Sequence, residues 1–183
     1  SSGWNFAAEY NDHFETPVSA YADVSPVLQC IAEELGKSKE ELVIYDPYYC
    51  KGSMVSHMAG LGYTNVINRN RDFYEDIATK AIPEFDVMVT NPPYSGEHKQ
   101  KLLTFLMNRR VKKPFALLLP AYTVTKSYWR DFVTETEKRN KKRNGETVNN
   151  SSFIYILPST SYNYDHPEGT GHKVPPFYSA WLI

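Results

Sequence analysis

The run Phe85-Asp86-Val87-Met88-Val89-Thr90 ends on Asn91-Pro92-Pro93-Tyr94, and this junction constrains the fold more than any other stretch of the chain. The apolar run reads as a buried strand. It has to stop at Asn91, because proline has no N–H for a sheet ladder and fixes φ at about −65°. Proline also pushes the residue before it out of the helical region. Pro92 therefore holds Asn91 extended, and Pro93 does the same to Pro92. The result is a rigid, non-helical loop at the carboxyl edge of a strand, carrying one amide, free carbonyls and one aromatic ring. Those groups suit a planar amino group. The Asn91 side-chain oxygen and the Pro92 carbonyl can each accept one N–H, and Tyr94 can stack on the flat group that bears the nitrogen.

The rest of the chain alternates strand and helix patterns. Ser25-Pro26 reads as an N-cap followed by proline at the first helical position, with Leu28, Ile31 and Leu35 on one face and a stop at Gly36. Leu42 to Tyr45 is a short buried strand, and Asp46 to Gly52 its exit loop. Ser53 caps a helix bearing Met54, Val55, Met58 and Leu61. Asn65 to Asn68 is a weak second strand. Helices are expected over 96–110 and 127–138, and strands over 115–119, 153–157 and 177–183. Alternation of this kind argues for an α/β fold with a mostly parallel sheet. No helical pattern separates the last two strands, so they should be antiparallel neighbours. Ligands of such sheets bind outside the carboxyl ends of the strands.

With these elements around it, the Asn91-Pro92-Pro93-Tyr94 loop resembles that of the class I S-adenosylmethionine-dependent amino-methyltransferases. That group includes adenine-N6 methyltransferases of DNA or RNA and glutamine methyltransferases of release factors. The resemblance implies a Rossmann-like, mostly parallel sheet with helices on both faces and an antiparallel C-terminal strand. It also implies S-adenosyl-L-methionine as cofactor, with Asn91, Pro92, Pro93 and Tyr94 holding the target nitrogen in line with the methyl group. Asp46-Pro47-Tyr48, followed by Gly52, is similar to the family's cofactor loop. Phe14-Glu15-Thr16-Pro17 resembles the segment that touches the cofactor's methionine part, with Phe14, Thr16 and Pro17 as the implied contacts. Asp72 and Phe73 resemble the segment beside its adenine.

Two departures from the family stand out. The cofactor loop has one glycine, Gly52, where two or three are usual. No carboxylate follows the second strand, where the ribose hydroxyls are normally bound, which leaves Asn68 or Asn70, or another group, to hold the ribose. Only 45 residues of numbering separate Asp46 from Asn91. One strand–helix step is therefore expected to be abbreviated.

Composition bounds the remaining choices. A chain of 183 residues, 42% hydrophobic, can bury one core, so one domain over 1–183 is expected. Residues 1–13 read as irregular, and Ser1-Ser2-Gly3 as tag-derived rather than native sequence. No apolar run approaches the ~18 residues that span a membrane, and no signal peptide opens the chain. Cys30 and Cys50 form no Cys-x-x-Cys pair, and His166 and His172 lack a ligand spacing, so no metal site is indicated. Two free thiols fit a reducing, intracellular compartment, without distinguishing cytoplasm from nucleus.

The net charge of −1 does not by itself suggest a nucleic-acid binder. The basic clusters Arg109-Arg110, Lys112-Lys113, Lys138-Arg139 and Lys141-Lys142-Arg143 follow helices and precede strands, so topology puts them opposite the active edge. The stretch from Ser159 to Pro176 is instead expected above the site. Its Tyr162 and Tyr164, together with Tyr122 and Tyr94, are the expected substrate contacts, suited to a flipped or unpaired base. No separate target-recognition domain is visible, which points to a structured RNA, a partner-guided substrate or a piece of a larger protein. Three readings follow: an adenine-N6 methyltransferase, with RNA favoured over DNA; a protein glutamine-amide methyltransferase; and a non-catalytic binding or assembly module.

Overall fold

Short runs of two to six residues, too short for helices and bounded by turn residues, form the strands. The structure, a computed structural model, describes residues 15–108, 113–144, 153–164 and 178–183. Its elements in chain order are α1 (Val18–Glu34), β1 (Ile44–Asp46), α2 (Ser53–Gly60), β2 (Val66–Asn68), α3 (Phe73–Ala78), β3 (Val87–Thr90), α4 (His98–Leu106), β4 (Phe115–Pro120), α5 (Ser127–Asn144), β5 (Tyr155–Ile156) and β6 (Ser179–Leu182). The strands form one sheet in the order β2-β1-β3-β4-β6-β5. β2, β1, β3 and β4 are parallel, and β6 runs antiparallel to both β4 and β5. The fold is therefore α/β with a mixed, mostly parallel six-stranded sheet and an antiparallel C-terminal strand.

Side chains alternate across a strand, so each strand feeds two layers. Ile44, Val87, Val89, Ala116, Leu118 and Trp181 face one way and pack with α1 and α2. Tyr45, Met88, Leu117, Leu119, Ala180 and Leu182 face the other way and pack with α3, α4 and α5. Both faces are covered, as a parallel sheet requires. Trp181 is fully buried, and its Nε1 donates to the Ala20 carbonyl of α1 at 2.8 Å. Trp181→Ala should destabilise the chain by about 3–5 kcal/mol, from the large-to-small cavity cost. A urea midpoint that does not move would contradict this packing.

Several boundaries differ from the sequence expectations. α1 starts at Val18, with Pro17 as N-cap, and Pro26 lies inside the helix. Interior proline costs about 3 kcal/mol through a lost hydrogen bond and a clash with the carbonyl four residues back. Here that carbonyl belongs to Ala22. Ala22 and Pro26 are both on the exposed side, where water can satisfy it. Burial of Ala20, Tyr21, Val24, Leu28 and Ala32 outweighs what remains. β3 begins at Val87 rather than Phe85, because the Asp86 carboxylate is engaged by Lys37 Nζ at 2.6 Å and Val43 N at 2.8 Å. The shortened step between β1 and β3 contains α3, a six-residue helix. α5 runs on to Asn144, six residues beyond the expected end.

Candidate functional site

Because β1, β2, β3 and β4 are parallel, their carboxyl ends meet on one edge of the sheet. Asp46 is the last residue of β1 and is 6% exposed. Its Oδ1 accepts hydrogen bonds from Thr90 Oγ1, at the end of β3, at 2.6 Å and from Tyr48 N at 3.1 Å. Burial disfavours the charged form more than these two bonds favour it, and the nearby Glu15 adds to the effect. The Asp46 carboxyl is pushed up to about 7. One Glu15 carboxylate oxygen accepts from the Ser53 hydroxyl. The other is buried with no hydrogen-bond partner. Burial, then the Glu15 charge, raises the Cys50 thiol far above its ordinary range, which makes it a poor nucleophile.

The Asn91 loop sits beside this acidic pair. Asn91 Nδ2 donates to Thr16 Oγ1 at 3.2 Å, and Thr16 also hydrogen-bonds the Tyr21 hydroxyl. That arrangement leaves Asn91 Oδ1 as a buried acceptor with no partner. Native structures rarely leave a buried polar atom unpaired, and doing so costs about 1–3 kcal/mol. Pro92 and Pro93 are buried. Tyr94 is held at both ends: its hydroxyl donates to the Leu118 carbonyl at 3.2 Å, and its own carbonyl accepts from Lys99 Nζ. The same ammonium lies 5.9 Å from the centroid of the Tyr94 ring. Burial, with Tyr164 next, raises the Tyr94 hydroxyl well above its ordinary value.

Over β1 and β2 the loops are tied to one another. Asn68 Nδ2 donates to the carbonyls of Asp46 at 3.3 Å and Tyr48 at 3.5 Å. Tyr48, Tyr74 and His98 form a hydrogen-bonded chain, with O···O 3.1 Å and O···Nδ1 2.6 Å. Gly52 stands at φ +86°, and a Cβ there would come 3.1 Å from the Tyr49 ring. Glycine alone adopts that conformation without strain. A cavity of about 170 Å³ opens beside Asp46, walled by Tyr45, Pro47, Ile67, Arg69 and Asp76.

Thr16, Pro17, Asp46, Pro47, Tyr48, Gly52, Asn68 and the Asn91 loop are thus brought to one edge; Phe14 lies outside the described residues. Asp72 and Phe73 reach the same region with their side chains engaged. Asp72 caps α3 by accepting from Tyr74 N at 2.8 Å and Glu75 N at 3.3 Å. Phe73 is 2% exposed and packs edge-on against Tyr45, Tyr48 and Phe105. Tyr122 is 43% exposed in a short 3-10 helix, Ala121–Thr125, and rims the site. Tyr162 and Tyr164 are each 4% exposed and pack edge to face, and the Tyr162 hydroxyl donates to Asp23 of α1 at 2.6 Å. Both are thus buried, and Tyr164 hydrogen-bonds the Tyr94 hydroxyl from within the core. His166, His172 and the rest of 165–177 fall outside the described residues.

Sequence reasoning overlooked Thr90 and Lys99. Thr90 carries the clearest signal, a polar residue closing an apolar strand directly before Asn91. Among the basic clusters, Arg139 pairs with Glu135 at 3.0 Å and donates to the Met107 carbonyl. Lys113 leads into β4, at the edge opposite the site. Arg109, Arg110 and Lys112, and the side chains of Lys141, Lys142 and Arg143, lie outside the described residues.

No helix among the described residues is long and apolar enough to cross a membrane, and no group of three His, Cys, Asp or Glu residues there could hold a metal ion. Compared with known proteins, the chain matches no family model, no curated protein and no solved structure.

Proposed function

We propose that the chain is an S-adenosyl-L-methionine-dependent N-methyltransferase of class I, Rossmann-like type, acting on an exocyclic amino group, with adenine N6 of RNA or DNA as the best fit. The observation that carries this reading is the buried, partnerless Oδ1 of Asn91. An acceptor kept dry and unpaired on a proline-stiffened loop is matched by the N–H of a bound ligand.

The residues present also fit the cofactor. Two carboxyl groups, Asp46 and Glu15, lie close together, and the Glu15 charge adds to the cost of charging the buried Asp46. A cationic ligand removes that cost, and the ammonium of the cofactor's methionine part has the right charge. Asp46, Glu15 and the loop ending at the left-handed Gly52 would hold that part. Asn68 occupies the usual ribose position as an amide, and the reversed strand β6 matches the sheet ending expected of the class.

When bound, the cofactor supplies a methyl group already activated by its sulfonium. The protein's part is alignment. Asn91 Oδ1 and the Pro92 carbonyl accept the two amino protons and turn the nitrogen lone pair toward the methyl carbon. Thr16 fixes which way the Asn91 amide points, and Tyr94, anchored to β4, faces the target. The attacking nitrogen loses its extra proton after transfer, so no strong base is needed beforehand.

Incubating the chain with methyl-labelled S-adenosylmethionine and separated RNA, DNA and protein fractions tests this reading. Label in a nucleic acid, located at adenine N6, is the expected result. Label on a glutamine side chain would move the assignment to the protein amide. No label in any fraction, together with no cofactor binding by calorimetry, would leave only a binding or assembly role.

A further inference from the structure

The groups fitted above to the cofactor lie over β1 and β2; over β4 and β6 the same edge carries a different surface. Tyr122 is 43% exposed, Val124 39% and Tyr178 62%. The Tyr178 carbonyl accepts from Ala121 N at 2.7 Å, so the two tyrosines belong to one β4–β6 corner. Tyr122 lies near enough to Tyr94 to raise its hydroxyl pKa, so the corner adjoins the Asn91 loop. Lys126 Nζ sits 5.4 Å from the centroid of the Tyr122 ring. Arg130 follows one helical turn later, and both cations are exposed. The neighbouring acid, Asp131, lines a separate groove between α4 and α5 with Gln100, Leu103 and Tyr128.

Exposed rings flanked by cations complement a chain of unstacked bases joined by phosphates. A glutamine-bearing peptide gives no reason to set cations beside the rings, and a duplex hides the base faces that would stack on them. We infer that Tyr122, Tyr178, Lys126 and Arg130 bind a single-stranded segment of nucleic acid and lead its target base to Asn91. The last clause rests on the amino-group reading above; the binding does not.

Fluorescence anisotropy with a labelled single-stranded 12-nucleotide RNA, its DNA counterpart and the matching duplex, without cofactor, tests the surface. The double substitution Tyr122→Ala with Tyr178→Ala should weaken single-strand binding about tenfold or more, the size of lost stacking. Lys126→Glu with Arg130→Glu should flatten the dependence of log affinity on log salt by about 1.4, two phosphates on a single strand. All four residues are exposed, so the variants should keep the wild-type melting temperature. The RNA and DNA arms show which polymer is preferred. Equal binding of duplex, or affinity unmoved by both double substitutions, overturns the inference. Absence of oligonucleotide binding while label enters a protein also overturns it and leaves amino-group transfer standing. Oligonucleotide binding lost as expected in the variants, with no methyl transfer by the wild type, keeps the surface and removes the proposed function instead.

Discussion

Asn91→Ala should lower methyl transfer about 100- to 1,000-fold, by analogy with removing one preorganised polar contact from a reacting centre. Cofactor affinity should stay within about twofold, because the change removes an interaction made only with the target amino group. Stability supplies an independent readout. Asn91 Oδ1 is already unpaired and buried, and the side-chain bond lost is the one to Thr16. Removing an orphaned acceptor recovers about 1–3 kcal/mol of desolvation cost, which offsets the lost bond. The variant should therefore melt at or above the wild-type temperature while losing turnover, the trade-off expected where a site is kept at the expense of the fold. Thr16→Val should give a milder loss, about tenfold, because the Asn91 amide keeps its chemistry and loses only its orientation. Near-normal transfer by Asn91→Ala, or a clear fall in its melting temperature, would show that Asn91 braces the loop instead.

What was legible from the sequence divides along the range of the interactions. The buried strands were readable, because apolar runs such as Leu117-Leu118-Leu119 report burial locally. So was the antiparallel end of the sheet. The Asn91 loop was readable because its prolines act on their own neighbours. Pro26 misled, because its penalty depends on whether Ala22 faces water, and that follows from packing. α3 was too short to show a period. Asp72 and Glu75 nonetheless carry the spacing of a capping box, and only the Asp72 half of it is observed. Tyr162 and Tyr164 had the composition of a binding rim, yet Asp23, 139 residues before Tyr162, draws that hydroxyl inward. The orientation of the Asn91 amide depends on Thr16, 75 residues away, and the environment of Asp46 on Thr90, 44 residues away. No local pattern encodes either.

Asp46→Asn should stabilise the free protein at alkaline pH and weaken cofactor binding. The carboxyl rises from 3.8 to about 7 on folding. Between those values the folded chain holds a proton that the unfolded chain has released, so stability falls as pH rises through that window. Above about 7 the full cost applies, on the order of 4 kcal/mol for a carboxyl raised from 3.8 to about 7. Asparagine keeps an oxygen to accept from Thr90 and Tyr48 N and carries no charge. Its gain over the wild type should thus be large near pH 8 and vanish near pH 4. Binding should show the opposite dependence. A cation needs the ionised form, so wild-type cofactor affinity should drop about tenfold per pH unit below about 7, with a proton released on binding near pH 6. Calorimetry in buffers of different ionisation enthalpy reads that proton directly. Asp46→Asn should bind about 10- to 100-fold more weakly at pH 8, the size of a charge-assisted contact, with a flatter profile. Glu15→Gln should move the wild-type inflection downward, because it removes the neighbouring negative charge. An affinity that ignores pH from 5 to 8, with no stabilisation by Asp46→Asn, would mean that this buried acid is not where a cation binds.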